Sequence, residues 1–246
     1  MEKPDLEERE RGDAVPPLGL VPTLAIFIAW SVVLYLATRP GMTFLIETCG
    51  LRADISWFVA GGAVFVGLFV TALSTLRYER ERNFWIAIKD RCRFRRLDQQ
   101  GVALTVGACV VVLILTGVIH SALSYLFPGF SPHPPFLKMD PLIPGERWVL
   151  LAWIPMFVFN IFGEELFWHG CLLPRNERSF GRWAWIVNGF GWFLFHIPFG
   201  CWILVIASPI IFIETWAIQR SKNTWVGVII HAVINGPAFI FIALWG

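Results

Sequence analysis

Charged residues are scarce in this sequence. Asp, Glu, Lys and Arg make up 15% of the 246 residues, while 56% are hydrophobic and the mean hydropathy is +0.62. An ordinary soluble domain has about 25% charged residues. These proportions exclude a soluble globular enzyme and a disordered chain, and they favour an all-α fold, a polytopic membrane helix bundle. The net charge of +2 is too close to zero to indicate a partner of strong opposite charge, so we expect no nucleic acid.

Cysteine is also scarce, and its spacing excludes two further classes. The five cysteines stand singly, and no two of them have CxxC or metal-knuckle spacing. We therefore expect neither a disulfide framework nor a cysteine metal site. The chain begins without the basic segment of a cleavable signal peptide. Residues 1–17 are instead predicted to be an acidic cytoplasmic tail.

The sequence contains several long apolar runs. A membrane-spanning helix needs about 20 apolar residues, so the lipid bilayer is the first predicted partner. The count is seven spans, or eight if the third run or the N-terminal flank is split. The candidate spans are 18–37, 55–76, 101–127, 147–172, 183–199, 201–219 and 224–245.

The basic residues predict the orientation of these spans. The loop 77–98 carries eight Lys and Arg residues, which places it in the cytoplasm by the positive-inside rule. With seven spans, the basic clusters at 175–182 and 220–222 fall on the same side. We therefore expect a multi-pass protein of the cell membrane or another cellular membrane, with a cytoplasmic N-terminus and an external C-terminus.

Two connecting segments have their own signatures. The segment Asn83 to Phe94 mixes aromatic and basic residues, so it is either a basic amphipathic helix on the inner leaflet or a plain loop. The stretch 128–146 contains six prolines and is predicted to be an external loop without regular helix.

Polar residues inside the spans require an explanation, because each costs at least ~2.5 kcal/mol on insertion scales. They are concentrated in the second half of the chain. They are Glu164, Glu165, His169, His196, Glu214, His231 and Asn235. For Glu214 we expect an ion pair with Arg220, whose long side chain can reach back along the helix.

Helical phase limits what these residues can do together. His231 and Asn235 are four residues apart and share one helix face, and so do Glu165 and His169. Adjacent residues differ by about 100° around an α-helix. Glu164 and Glu165 are therefore predicted to have different partners, one facing a cavity and the other a neighbour such as His169.

The chemistry of this set is that of a hydrolase. A carboxylate and an imidazole can activate a water molecule, and a second imidazole with a carboxamide can stabilise an oxyanion. No serine or cysteine is placed as an obvious nucleophile. Two histidines and a glutamate are also a plausible zinc set. The HExxH pattern is absent, so we expect no cofactor, with zinc as the alternative.

Three motifs in this region resemble those of a known family. The stretch from Glu164 to Gly170 (EELFWHG) is similar to the EExxxRG motif of the CPBP family of CAAX proteases and bacteriocin-processing enzymes. Trp192 to His196 (WFLFH) resembles the family's FxxxH, and His231 to Asn235 (HAVIN) matches its HxxxN.

The resemblance implies an intramembrane endopeptidase with an all-helical core like that of the type II CAAX prenyl endopeptidase. By motif, Glu164 is the base and His196 its partner. His231 and Asn235 stabilise the oxyanion, and Glu165 is a supporting carboxylate within the catalytic set. The implied substrate is a peptide or a prenylated protein.

The sequence departs from the family at two supporting positions. His169 stands where the family has Arg, and Trp192 stands where it has Phe. Because a titrating imidazole replaces a fixed charge, slower or pH-sensitive activity is implied. We expect Glu165 and His169 to pair despite this change.

The predicted organisation has three parts. They are the tail 1–17, the N-terminal transmembrane helices 18–146 with the basic loop, and a catalytic core 147–246. Two other functions remain open. One is a weak or inactive family member acting as a scaffold or immunity protein, and the other is a proton-coupled transporter with a buried Glu/His relay.

Overall fold

The computed structural model describes residues 15–78, 84–137 and 140–245, and all regular structure within these ranges is helical. The predicted all-α fold is confirmed. Most of the predicted acidic tail lies outside the described residues. The α-helices are α1 (Leu20–Leu36), α2 (Met42–Glu47), α3 (Ala53–Tyr78), α4 (Phe84–Arg91), α5 (Gln99–Leu126), α6 (Val149–Glu164), α7 (Leu173–Phe180), α8 (Ala184–Phe195), α9 (Cys201–Ser221) and α10 (Thr224–Trp245).

Six helical runs in the described residues are long and apolar enough to cross a membrane. Their outer surfaces carry large apolar side chains, as on α5, where Val106, Ile114 and Val118 are each more than half exposed. Such a surface suits lipid rather than water. The chain is a multi-pass membrane protein. The runs are Leu20–Glu47, Ala53–Tyr78, Gln99–Leu126, Val149–Phe195, Cys201–Ser221 and Thr224–Trp245.

The predicted count of seven spans is only approximately supported, and the difference lies in residues 147–199. The two spans predicted there form one continuous helical run of 47 residues, Val149–Phe195. The chain nevertheless reverses at Gly181, whose φ of 54° suits glycine, and α7 packs against α8. The returning helix α8 has 12 residues and rises only about 18 Å, short of a hydrocarbon core of about 30 Å.

The first run is longer than the predicted span 18–37. Pro40 interrupts the hydrogen-bond ladder because it has no backbone N–H. A π-helical turn at Ala37–Gly41 takes up this interruption, and the helix continues as α2. The third run, by contrast, is one unbroken helix, so the split that would have given an eighth span there is wrong.

The segment Asn83 to Phe94 contains the short helix α4, so a plain loop is excluded there, and the placement of this helix on the inner leaflet stays a prediction. The described part of 128–146 has no α-helix and only one 3₁₀ turn, Pro144–Glu146, as its prolines predicted.

Helix packing brings the C-terminal helices around one centre. Helix α3 packs along α6, α8 lies between α1 and α9, and α10 packs against α5 and α9. Aromatic pairs fill the core. Phe27 stacks on Trp168 with ring centroids 4.2 Å apart, and Trp153 stacks on Phe239 at 4.6 Å.

The loop 127–148 is anchored over one end of the bundle. The backbone N–H of Leu142 donates to the carbonyl of Ala243 at 2.8 Å. Phe136 contacts Trp57 with centroids 5.2 Å apart. Arg52 donates a hydrogen bond to Glu146, which lowers the pKa of that carboxyl below its ordinary value. These contacts attach the loop to the ends of α3 and α10.

Candidate active site

The two adjacent glutamates lie where the helix changes its geometry. Glu164 is the last residue of α6, and Glu165 begins a π-helical segment, Glu165–Leu172. Short π-helical segments are rare and often mark functional sites. Both side chains are buried, at 1% and 0% exposure, yet they point to different partners, as their phase predicted.

Glu164 is held by two hydrogen-bond donors. The amide Nδ2 of Asn160, one turn earlier in α6, donates to Oε1 at 2.6 Å. The indole N–H of Trp192 on α8 donates to Oε2. These two bonds fix the position of the carboxylate.

His196 faces the same carboxylate from the end of α8. Its Nδ1 lies 2.9 Å from the backbone carbonyl of Trp192 and donates to it. Its Nε2 lies 4.0 Å from Oε2 of Glu164. Because Nδ1 carries the proton, Nε2 is left as an acceptor directed toward Glu164.

Glu165 joins two histidines. Nδ1 of His169 donates to Oε2 at 2.8 Å, and Nδ1 of His231 on α10 donates to Oε1 at 2.9 Å. The expected pair of Glu165 and His169 is therefore present. His169 is itself fixed from behind, because its Nε2 lies 3.1 Å from Oγ1 of Thr215 on α9.

A cavity of about 260 Å³ lies in front of these groups. Five of the residues identified by motif line it together, and the rest of its wall is mainly aromatic and aliphatic. The five are Glu164, Trp192, His196, His231 and Asn235. Asn235 lies one turn beyond His231 on α10, so both side chains reach the cavity from one helix face, as the spacing predicted.

Trp192 lies at the middle of the cluster. It is 1% exposed, and its ring meets His169, His196 and His231 edge to face at centroid distances of 4.9, 5.6 and 5.5 Å. This residue both packs the three imidazoles and donates to Glu164. It therefore does more than conserve the aromatic character of the family's Phe.

Comparison with known protein families agrees with this geometry. Residues 146–236, which are 91 of the 246, match the family model described as Rce1-like, type II CAAX prenyl endopeptidase Rce1-like. Over these residues the chain is similar to this family. The resemblance to the CAAX protease family is confirmed, and the match includes all three motifs. No curated protein and no solved structure matches the chain significantly.

The structure corrects one prediction within the matched region, the ion pair of Glu214. Glu214 does not pair with Arg220. Residues six apart differ by about 120° around an α-helix, so they lie on different faces of α9. Glu214 is fully buried and lies 3.9 Å from Nδ1 of His169, whereas Arg220 is exposed.

Sequence analysis did not identify two other residues near the site. Asn160 could have been identified, because it is a polar residue one turn before Glu164 in an apolar helix. Thr215 could not, because a threonine that bonds to its own helix is common in apolar helices.

The absence of a side chain at Gly227 leaves room for the Glu165 carboxylate. Gly227 on α10 lies one turn before His231, and a Cβ there would overlap Oε2 of Glu165 and the side chain of Ile218. Glycine is therefore required at this position for α10 to approach the π-helical segment.

The zinc alternative can be compared with this geometry. Glu165, Glu214 and His231 each offer a ligand atom, and these atoms all lie within 4.8 Å of one another. A tetrahedral zinc with bonds of about 2.05 Å separates its ligand atoms by about 3.3 Å. The 2.9 Å between Glu165 and His231 is a hydrogen-bond distance instead. As arranged, the three groups do not fit a tetrahedral zinc.

Proposed function

We propose that the protein is an intramembrane endopeptidase that hydrolyses a peptide bond of a membrane-associated or prenylated substrate with an activated water molecule. The observation that carries the proposal is the placement of Glu164 and His196. Their acceptor atoms lie 4.0 Å apart at the wall of one cavity, within a helix bundle that is similar to the Rce1-like family over residues 146–236.

The distance between these two acceptors suits one shared water molecule. A water 2.8 Å from each atom would subtend an angle of about 90°, so both of its protons can point at acceptors. Oε2 of Glu164 takes one proton as general base. His196 Nε2 accepts the other and orients the oxygen toward the substrate.

The opposite wall of the cavity is suited to the oxyanion. When the water oxygen bonds to the scissile carbonyl carbon, the carbonyl oxygen becomes negative. His231 and Asn235 reach the cavity from one face of α10 and supply hydrogen bonds to that oxygen. Glu165 holds the ring of His231 in place through Nδ1. A carboxylate that orients an imidazole in this way is a recurring arrangement in hydrolases.

The second half of the reaction uses the same groups. The tetrahedral intermediate collapses by breaking its carbon–nitrogen bond, and the leaving nitrogen takes the proton that Glu164 removed from the water. Glu164 returns to its charged form. The other water proton stays on the former water oxygen, so the products are a new carboxylic acid and a new amine, and atoms and protons balance.

The cavity wall indicates an apolar substrate. It is formed by aromatic rings from four different helices, among them Trp57, Trp153 and Phe239, and by isoleucines of α9. Such a wall binds an alkyl or prenyl chain, or apolar peptide side chains, by burial of apolar surface. A substrate that is itself held in the membrane meets this requirement.

The test is peptide cleavage by the purified protein in proteoliposomes. A panel of fluorogenic peptides with and without a C-terminal prenyl group is compared for the wild type, Glu164→Gln, and Glu47→Gln as a matched charge removal at an exposed site. We expect the wild type and E47Q to cleave prenylated peptides faster than the same peptides without a prenyl group. E164Q should lose at least ~10³-fold in rate, within the range of general-base catalysis.

Two results would contradict the proposal. The first is cleavage that E164Q retains or that a chelator abolishes. The second is the absence of cleavage of any peptide together with proton-coupled flux in the same proteoliposomes, which would indicate transport.

A further inference from the structure

A second cavity, of about 440 Å³, lies where the ends of α7, α8 and α9 meet. It shares no lining residue with the proposed catalytic cavity. Gln219 on α9 forms part of its wall. The Oε1 atom of Gln219 accepts from the backbone N–H of Trp185 at 2.6 Å, and its Nε2 donates to the carbonyl of Gly181 at 3.0 Å. These two bonds fix the end of α9 to the reversal of the chain at Gly181.

Three basic side chains and one carboxylate line this cavity, and they are Arg182, Arg220, Lys222 and Glu177. The carboxylate of Glu177 already has cationic partners. Nη1 and Nη2 of Arg93 donate to its two oxygens at 2.8 Å, and Nζ of Lys222 donates to Oε2. With Arg93 counted, four positive side chains surround one negative side chain, which leaves a net charge of +3.

The two arginines of the cavity wall have no anionic partner in the described part of the chain. Arg182 and Arg220 are both exposed, and neither forms an ion pair with a described residue. The guanidinium of Arg182 lies 4.7 Å from the centroid of the Trp183 ring, a cation–π contact that limits its motion. The other acidic residue of 171–222, Glu214, is fully buried near His169 and does not line this cavity. Two positive charges are therefore available to an anionic ligand.

Aromatic and apolar side chains continue from this cavity along the two helices. Trp185 and Trp216 line it, and Trp216 lies one turn before Arg220 on α9. Ile186 and Phe190 lie one turn apart on α8, and both are exposed. Tryptophan is typical of the interface between a membrane and water, and exposed apolar side chains suit lipid. A ligand bound here can therefore place an anionic group among the basic side chains and an apolar part along α8 and α9.

We propose that this cavity binds the phosphate group of an anionic glycerophospholipid, between Arg182, Arg220 and Lys222, with the acyl chains on the exposed face of α8 and α9. Guanidinium groups bind phosphate oxygens through paired hydrogen bonds, and an ammonium group adds a point charge. Basic cavities between membrane helices are typical sites for such head groups. The predicted orientation places this cavity on the cytoplasmic side, where anionic lipids give the membrane a negative surface. The site is separate from the proposed catalytic cavity, so it does not depend on the proposed function.

The test is native mass spectrometry of the purified full-length protein, titrated with phosphatidylglycerol or with phosphatidylcholine of the same acyl chains. We expect the wild type to bind phosphatidylglycerol more tightly. Arg182→Gln and Arg220→Gln should each weaken that binding about fivefold, because a basic residue near an anionic lipid contributes about 1 kcal/mol, and the double variant about 25-fold. Arg178→Gln removes an equal charge from an exposed position outside the cavity wall and should bind as the wild type does.

A second titration separates a lipid from a soluble phosphate ester. Glycerophosphoglycerol carries the same phosphodiester as phosphatidylglycerol but has no acyl chains to contact α8 and α9. We expect an equal concentration of it to displace no bound lipid. Displacement of phosphatidylglycerol by an equal concentration of glycerophosphoglycerol would overturn the lipid assignment, because the cavity would then bind a soluble ester equally well.

Three further results would overturn the proposal. The first is equal affinity of the wild type for the two lipids. The second is a loss of affinity in R178Q as large as that in R182Q and R220Q, which would indicate a general effect of surface charge. The third is tight binding of phosphatidylglycerol only after the six acidic residues of 1–14 are replaced by their amides. That result would identify the chain's own acidic tail as the occupant of the cavity.

Discussion

The side-chain amide of Asn160 donates a hydrogen bond of 2.6 Å to Oε1 of Glu164, one helical turn further along α6. Oε2 accepts from Trp192 and faces His196. Each oxygen of the proposed base therefore has one protein donor, and only Oε2 is directed at the proposed water.

Replacement of Asn160 by leucine should lower kcat about tenfold and leave KM nearly unchanged. The substitution keeps the volume but removes the donor that fixes the carboxylate, and a hydrogen bond to a charged group contributes about 1.5–3 kcal/mol. Steady-state cleavage measures both constants. Ser31→Ala, which removes a hydrogen bond to Leu194 away from the cavity wall, is the control. A change in KM alone would show that Asn160 binds substrate instead.

Replacement of Trp192 by phenylalanine separates its two contributions. Phenylalanine keeps an aromatic ring among the three imidazoles but cannot donate to Glu164. We expect kcat to fall about tenfold and thermal stability to change little. Trp192→Ala should in addition destabilise the protein by about 3–5 kcal/mol, because it leaves a cavity in the core. Equal activity of W192F and the wild type would show that the indole N–H has no role.

Replacement of Gly227 by alanine should disturb the Glu165 carboxylate. The added methyl group overlaps Oε2 of Glu165, so we expect a loss of about 1–3 kcal/mol in stability and a fall in kcat. Gly107→Ala on α5 is the matched control, since nothing lies within 4 Å of its added carbon. That variant should be unchanged or stabilised by about 0.5–1 kcal/mol. Thermal unfolding in detergent compares the two, and equal stability would contradict the close packing described for Gly227.

The number of crossings can be measured with cysteine labelling. Cys49 is exposed just after the first helical run. The other exposed cysteine, Cys201, is first replaced by serine. The predicted orientation places Cys49 outside, so a membrane-impermeant maleimide should label Cys201→Ser protein in intact cells, and the further change Cys49→Ser should remove that signal. In this background without either exposed cysteine, Trp245→Cys should be labelled from the same side if α8 completes a seventh crossing. Labelling from the opposite side would show that the chain crosses six times.

Much of the fold follows from local sequence. Each apolar run is helical, because lipid offers no hydrogen-bond partner to backbone N–H and C=O groups and the chain must pair them within itself. The prolines of 128–146 exclude regular helix there, because proline has no backbone N–H to donate. The motif residues could be placed by spacing alone. The spacing of four residues from His231 to Asn235 places both side chains on one helix face and so at one cavity.

Other features depend on contacts between distant segments. The 100° difference between adjacent helix positions predicted different partners for Glu164 and Glu165. It could not show that the helix becomes π-helical at Glu165. The predicted partner of Glu214 was wrong. The prediction considered only Arg220 on the same helix, whereas the residues near Glu214, His169 and Glu165, belong to another helical segment. The two spans predicted within 147–199 form one helical run, although the chain reverses inside it at Gly181. Each of these features is decided by packing between helices rather than by the composition of one segment.

The most direct test of the central claim is a double-mutant cycle on Glu164 and His196. Their side chains are proposed to share one water molecule, so either loss should disable the same step. We expect E164Q and His196→Gln each to lower kcat by at least ~10³-fold, and the double variant to be no slower than the worse single variant. Losses that multiply in the double variant, or a His196→Gln protein of normal activity, would contradict the shared water.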